Sequence, residues 1–249
     1  MKDNAKKSKG LYISIGIIFL IIILVIIGHG TGYRFKNNFT IGKVGYLTIK
    51  IPLINTSVFA DSQKILTEKD NQIIKIKLSP TSHRIIVSHA GYFPWTKEIN
   101  MPSGGEVRLS PIFITTNTTG EIITNKDPEY WSLRNKILSD ISPTKDSPKI
   151  SEDKSTTIWL EDNAIIATVG STTTTVIQPD TLIKNITFFG DRSDAVIFLM
   201  FNTIYVIEIN KEGTQNFMPI YKGRDPYFIP ASTGSIYVLD DENLMQVII

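Results

Sequence analysis

Cysteine is absent from this 249-residue chain. Its absence excludes disulfide frameworks, thiolate zinc sites, iron–sulfur clusters, cysteine nucleophiles and a lipoprotein anchor on an acylated cysteine. Histidine is scarce, with only His29, His83 and His89. His83 and His89 are six apart and share a face if one strand spans both, yet no third histidine or HExxH run completes a zinc site. Also missing are GxSxG, GxxxxGK[ST] and GxGxxG, and with them a nucleophile elbow, a P-loop and a dinucleotide fingerprint. No dense arginine cluster points to nucleic acid. Proline (12) and glycine (16) are too few for a fibrous chain, and 42% hydrophobic residues are too many for a disordered one. The length suits one large or two small domains.

The net charge of +2 conceals an asymmetry. Residues 1–10 carry +3, residues 31–126 carry +6 from 12 basic and 6 acidic side chains, and residues 127–249 carry −7 from 10 basic and 17 acidic side chains. Between the first two blocks, residues 11–30 hold no Lys, Arg, Asp or Glu. Residues 11–27 read LYISIGIIFLIIILVII, and fourteen of the seventeen are Leu, Ile, Val or Phe. As a helix they supply roughly −4 to −8 kcal/mol of insertion free energy. The run is longer than the apolar core of a cleaved signal peptide, so it reads as an uncleaved single-pass membrane anchor. Lysines before the span outweigh Arg34, Lys36 and Lys43 after it, which orients the N-terminus to the cytoplasm and the bulk outside it.

Beyond Gly30 the pattern is strand throughout, with no convincing helix. Residues 73–78 (IIKIKL) put Ile74, Ile76 and Leu78 on one face and Lys75 and Lys77 on the other. Leu47, Ile49 and Ile51 alternate with Thr48 and Lys50; Trp95, Lys97 and Ile99 alternate with Thr96 and Glu98. Similar runs recur every 8–12 residues between turn signals as far as 235–239. Residues 125–150, with Pro128, Pro143 and Pro148, read as a linker anchored by one turn around Tyr130-Trp131.

Residues 45–113 resemble the PEGA domain, a small β-sandwich module of bacterial and archaeal envelope proteins. The resemblance rests on an opening strand at Gly45-Tyr46-Leu47-Thr48-Ile49 and on Pro52 followed by residues 56–62 (TSVFADS). It continues through residues 78–92 (LSPTSHRIIVSHAGY) to a closing Val107-Arg108-Leu109. The tetrapeptide that names the family is Pro52-Leu53-Ile54-Asn55 here, and the turn glycines are replaced by Ser62 and Thr81. The resemblance implies a non-catalytic, wall-associated module with no transferable catalytic residues.

Further on, residues 202–221 and 234–249 share Ile-Tyr-Val, an acidic turn and an amphipathic strand, and residues 157–169 give a weaker third copy. A period of about 35–40 residues matches propeller blades. The segment resembles the WD40-like repeats that accompany PEGA modules in some membrane proteins, but it has length for only two to three blades. Ile248-Ile249 continue a strand pattern without a polar cap, so an open sheet edge, and self-association through it, is expected there.

The expected fold class is an all-β ectodomain, a PEGA-like β-sandwich plus a few propeller-like antiparallel β-blades, behind one N-terminal transmembrane helix. The expected division is a cytoplasmic tail (1–10), a transmembrane helix (11–28), a PEGA-like domain (29–124), a linker (125–150) and an incomplete repeat domain (151–249). Tyr92, Phe93 and Trp95 are candidates for a sugar-stacking platform, and Lys75 and Lys77 for contact with anionic polymer or lipid headgroups. Carboxylates at Glu161-Asp162, Asp191, Asp194, Asp225 and Asp240-Asp241-Glu242 fall in turns, where Asp and Asn serve the backbone. No catalytic residue, metal or cofactor is expected. The expected role is a membrane-anchored extracytoplasmic binding or scaffold protein of the cell envelope, with cell-wall polysaccharide or an envelope protein as partner and no nucleic acid. The alternatives are an accessory or sensor subunit of a membrane complex and, last, a wall-polymer hydrolase built on two carboxylates.

Overall fold

The computed structural model describes residues 3–35, 41–65, 73–210, 213–232 and 234–249, with the side chains of the first helix from Ser14 onward. The first elements in chain order are α1 (Asp3–Gly30), β1 (Tyr33–Phe35), β2 (Ile41–Lys43), β3 (Gly45–Lys50), β4 (Ser57–Ala60), β5 (Gln63–Ile65), β6 (Ile73–Leu78), β7 (Ser82–Ser88), β8 (Trp95–Asn100) and β9 (Glu106–Leu109). Next come β10 (Thr119–Ile123), α2 (Tyr130–Ser139), β11 (Lys149–Ile150), β12 (Thr156–Glu161), β13 (Ala164–Val169), β14 (Thr172–Ile177) and β15 (Ile183–Phe188). The last are β16 (Ala195–Met200), β17 (Thr203–Glu208), β18 (Phe217–Lys222), β19 (Pro226–Pro230), β20 (Ser235–Asp240) and β21 (Asn243–Ile248). Apart from the two helices the described chain is β-structure, as expected. It divides into two compact units, Met1–Ile54 with Thr67–His83 and Ile99–Pro111, and Asn55–Leu66 with Arg84–Glu98 and Ile112–Ile249.

In the first unit, α1 stops where Thr31 turns its amide and hydroxyl onto the Ile27 carbonyl, each at 2.9 Å. Gly32 follows at φ 90°, a conformation that a Cβ would strain. From Ile15 to Ile27 every Ile, Leu, Val and Phe of α1 is 38–64% exposed. Among the described residues, no helix is long and apolar enough to cross a membrane. β1 and β2 form a short antiparallel ribbon. The main sheet has the order β6-β3-β9, with β3 antiparallel to β6 and parallel to β9. The predicted alternation holds on β3: Leu47 and Ile49 are fully buried and Tyr46 and Lys50 face out.

The second unit holds most of a sheet of order β5-β4-β7-β8 and three four-stranded antiparallel sheets. The three are β11-β12-β13-β14, β15-β16-β17-β18 and β19-β20-β21-β10. They form one repeat. The hairpins joining second to third strands turn through left-handed residues at Asp162 (φ 49°), Phe201 (φ 55°) and Asp241 (φ 53°), 39 and then 40 residues apart. Asp tolerates this conformation; Phe201 does so under strain. The next position, Asn163 or Asn202, clamps the loop that leaves its sheet for the following one. Asn163 donates to the Pro179 and Thr181 carbonyls and accepts from the Ile183 amide at 2.8–2.9 Å, and Asn202 donates to the Gly223 carbonyl at 2.9 Å. Ile158, Ile165, Ala167 and Val176 of the first repeat share a core with Ile186, Phe188, Val196 and Phe198 of the second.

The repeat period lies in the expected range, but the matching of copies was one strand out. Ile204-Tyr205-Val206 belong to the third strand of their sheet and Ile236-Tyr237-Val238 to the second. Both are buried inner strands, and burial selects the same residues for each. The edge expected at Ile248 is also corrected. β21 is paired on both sides, by β20 and by β10, with Thr119 opposite Ile248. Gly120 makes this possible, because a Cβ there would lie 2.7 Å from the Gln246 carbonyl oxygen.

The expectation of no helix after Gly30 fails at α2. Tyr130, Leu133 and Ile137 recur at helical spacing and pack on Ile229, Leu239 and Leu244 of the third repeat. The period was hidden by its length, only ten residues, and by the prolines around it. β19 was hidden for a related reason. It begins and ends with proline, which its outer position in the sheet accommodates.

Candidate functional site

Lys75 and Lys77 stand on the outer face of β6, and the sheet gives them neighbours from two further strands. Tyr46 on β3 lies opposite Lys77, and Thr48 opposite Lys75; across β3, Glu106 and Arg108 of β9 pair with the same two residues. Lys75 Nζ lies 4.8 Å from the Tyr46 ring centroid and Lys77 Nζ 6.0 Å, so the ring's negative face holds both cations beside it. Glu106 accepts from Thr48 Oγ1 at 2.8 Å and from Arg108 at 3.0 Å. The Arg108 and Thr48 hydrogen bonds hold its carboxyl below the usual carboxylate range. With Lys50 on the same face, four cations and one carboxylate line an exposed sheet surface around a tyrosine. The period-two pattern carried this signal for Lys75 and Lys77; Arg108 and Tyr46 reach the face only through strand pairing.

Tyr92, Phe93 and Trp95 do not form the expected platform. Trp95 is 2% exposed, and a ring so enclosed has no face to offer a sugar. Tyr92 is half-buried and meets His89 and Phe113 edge-on, at centroid distances of 5.1 and 6.0 Å. Phe93 is half-buried, with its amide on the Ile114 carbonyl. Of the two histidines, His83 is buried with Nε2 2.9 Å from the Ser79 carbonyl, and His89 lies just past β7 with Nδ1 2.8 Å from the Ala90 carbonyl.

Trp95 belongs to a buried polar cluster. Glu208 on β17 accepts from Trp95 Nε1 at 2.6 Å through one oxygen. Its other oxygen accepts from Lys97 Nζ and Asn216 Nδ2, both at 3.0 Å. Lys97 also donates to the Asn210 carbonyl at 3.3 Å. Asn216 bridges the amide and carbonyl of Thr96 at 3.0 and 2.9 Å. Lys97 and Glu208 are 7% and 6% exposed, so two charges leave water together and satisfy one another. The cluster explains why Lys97 shares a strand face with Trp95 and Ile99. Its chemistry is cross-linking: Trp95 Nε1, Lys97 Nζ and Asn216 Nδ2 all donate to the one carboxylate.

The turn carboxylates mostly serve the backbone or pair with nearby cations. Asp240 accepts the amides of Arg224 and Asp225 at 2.9 Å and the Tyr221 hydroxyl at 2.8 Å. Burial alone would raise its pKa, but the Asp225 amide, the Tyr221 hydroxyl and the Arg224 amide outweigh burial and hold the carboxyl low. Burial first, and then Asp240, push the Tyr221 phenol up to about 12. Glu161 pairs with Lys145, Asp194 with Arg192 and Asp225 with Lys184. Among the described residues, no group of three or more His, Asp or Glu is placed to hold a metal.

One concave surface of about 520 Å³ lies in the second unit where α2 meets β10 and β21. Ile122, Asn125, Trp131, Arg134, Glu242 and Asn243 line it. The predicted anchoring turn at Tyr130-Trp131 thus does two things. Tyr130 packs inward, and Trp131 stays 59% exposed with its indole perpendicular to the Tyr130 ring, centroids 5.1 Å apart. The adjacent aromatics were the only sequence signal of this groove, and they do not say which of the two faces out.

No family model matches the chain, and no curated protein is significantly similar to it.

Proposed function

We propose that the chain is a membrane-anchored, extracytoplasmic binding or scaffold protein of the cell envelope, without a catalytic role. What supports this is the apolar surface of α1 taken together with residues 11–13 of the sequence, since the described residues by themselves make no helix long and apolar enough to cross a membrane. A solvated helix keeps an apolar stripe against a core and a polar face toward water. In α1 the apolar side chains from Ile15 to Ile27 are exposed all round, and the sequence continues the apolar run back to Leu11. Lipid satisfies such a surface, whereas water penalises it by about 25 cal/mol per Å². The lysines before the run orient the N-terminus to the cytoplasm.

On this reading the basic face around Tyr46 meets anionic envelope polymer or headgroups, each cation contributing up to about 1 kcal/mol. The PEGA-like reading of the first module draws on the order of its strands. The propeller-like reading of the second draws on the 39- and 40-residue spacing of its turns and on β10 completing the last sheet. The test is expression of the full chain with carbonate extraction of membranes and protease treatment of intact spheroplasts. The chain is expected to stay in the membrane pellet and to be digested from outside. Release by carbonate, or full protection, would overturn the reading. Retention on cell-wall sacculi that falls with salt, and falls further for a Lys75→Gln/Lys77→Gln/Arg108→Gln variant, would assign binding to the basic face.

A further inference from the structure

The third repeat differs from the other two at one position. Asn163 and Asn202 spend their side chains on the loop leaving for the next sheet. The equivalent residue, 40 positions after Asn202, is Glu242. The third sheet takes its fourth strand from β10, upstream in the chain, so the segment that leaves this corner runs to α2 and not to a further sheet, and among the described residues no side-chain bond ties it to Glu242. The corner is the groove, and Glu242 lines it together with Trp131, Arg134, Asn125, Asn243 and Ile122. Neither Glu242 nor Arg134 has a hydrogen-bond or ion-pair partner among the described residues. A position that is structural in two copies is thus left unengaged in the third, at the mouth of a concavity with an exposed, oriented indole.

We propose that this groove is a saccharide-binding site and that its ligand is a chain of N-acetylated hexosamines. The inference deepens the envelope-binding reading and rests on it. The lining argues for the chemistry. A flat indole face, 59% exposed, offers the apolar contact that the C–H face of a pyranose makes. One cation, one carboxylate and two carboxamides supply both donors and acceptors without net charge, which suits hydroxyl and acetamido groups and disfavours a polyanion. Ile122, 69% exposed and lining the same groove, gives an acetamido methyl group an apolar contact that a plain hexose does not need. The open groove suits a run of a polymer better than an enclosed small molecule.

The probe is chitotetraose, titrated into the detergent-solubilised full chain with tryptophan fluorescence as the readout. Of the three tryptophans, Trp95 and Trp159 are 2% and 8% exposed, so the ligand-sensitive and iodide-quenchable signal is that of Trp131. Saturable protection from iodide is expected at roughly millimolar ligand or below. Trp131→Ala is expected to weaken binding, read by calorimetry, at least about tenfold. Ile122→Ser is expected to remove the preference for chitotetraose over cellotetraose. Both side chains are exposed, so neither variant threatens folding. No saturable protection up to about 10 mM, or unchanged affinity in Trp131→Ala, overturns the proposal. If carbonate-resistant, sacculus-binding protein still ignores chitotetraose, the groove assignment falls and the envelope reading stands. If chitotetraose binds a chain that carbonate releases, the reverse holds.

Discussion

Replacing Glu208 by Ala is the sharpest test of how the second unit is held together. The substitution removes the acceptor for four buried donors at once: Lys97 Nζ, Trp95 Nε1, Asn216 Nδ2 and, at 3.4 Å, the Asn216 amide. Lys97 keeps only the Asn210 carbonyl at 3.3 Å, and a buried ammonium left without its counter-ion costs about 3–5 kcal/mol. An indole N–H stranded in the interior adds about 1–3 kcal/mol. Asn216 loses less, since it still donates to the Thr96 carbonyl. The terms share one cavity and do not add fully, so we expect a loss of about 4 kcal/mol, against a typical total of about 5–15 kcal/mol. A Lys97→Met/Glu208→Leu double variant removes both charges and refills the space, and should recover to within about 2 kcal/mol of the parent. The assay is urea denaturation of the detergent-solubilised chain, followed by the fluorescence of Trp95 and its neighbours and completed as a double-mutant cycle. A loss below about 1 kcal/mol for Glu208→Ala, or additivity of the pair within about 0.5 kcal/mol, would refute the argument that the two charges are buried as a unit.

Three further outcomes are expected. Tyr221 holds its proton longer in the folded chain, up to about 12, than the usual phenol near 10; its contribution is complete below about pH 10 and is lost as pH rises from there through about 12. The unfolding free energy from urea titration should therefore fall over that window, by on the order of 1 kcal/mol after allowance for solvent screening, and fall less in Tyr221→Phe. Gly120→Val should break the β10–β21 pairing through its clash with the Gln246 carbonyl, destabilise by more than about 2 kcal/mol and expose an edge that promotes self-association in light scattering. Phe201→Gly should stabilise by about 0.5–1 kcal/mol in the same urea assay, because Phe201 is 65% exposed and sits at φ 55°.

Much of the fold is legible in local pattern. Alternation identified strands such as the one holding Leu47 and Ile49, because a strand with one buried face repeats every two residues, whereas the strand with Ile236 and Val238 shows as a continuous apolar run because both its faces are covered. The acidic and Asn-rich turns marked the hairpins at 162–163 and 241–242, because few L-residues accept a left-handed backbone. A period of about 35–40 residues was expected from the sequence, although the Ile-Tyr-Val match behind it joins non-equivalent strands. The apolar run at 11–27 needed only hydropathy.

Pairing and direction required the tertiary structure. Nothing local in the Thr119–Ile123 segment says that it closes a sheet with the residues around Leu244 and Val247. Lys97 reads as a surface residue until Glu208, 111 positions away, gives it a partner. Tyr130 and Trp131 are equally apolar on paper, and only the sheet beneath α2 decides which turns inward. Glu242 looks like one more turn carboxylate beside Asp240 and Asp241, and only the tertiary structure leaves it without the clamp that its counterparts make on the chain leaving their sheets. Short-range periodicity is written by each residue's own burial. Which surfaces remain open depends on contacts between segments far apart in the chain, and those have no local signature.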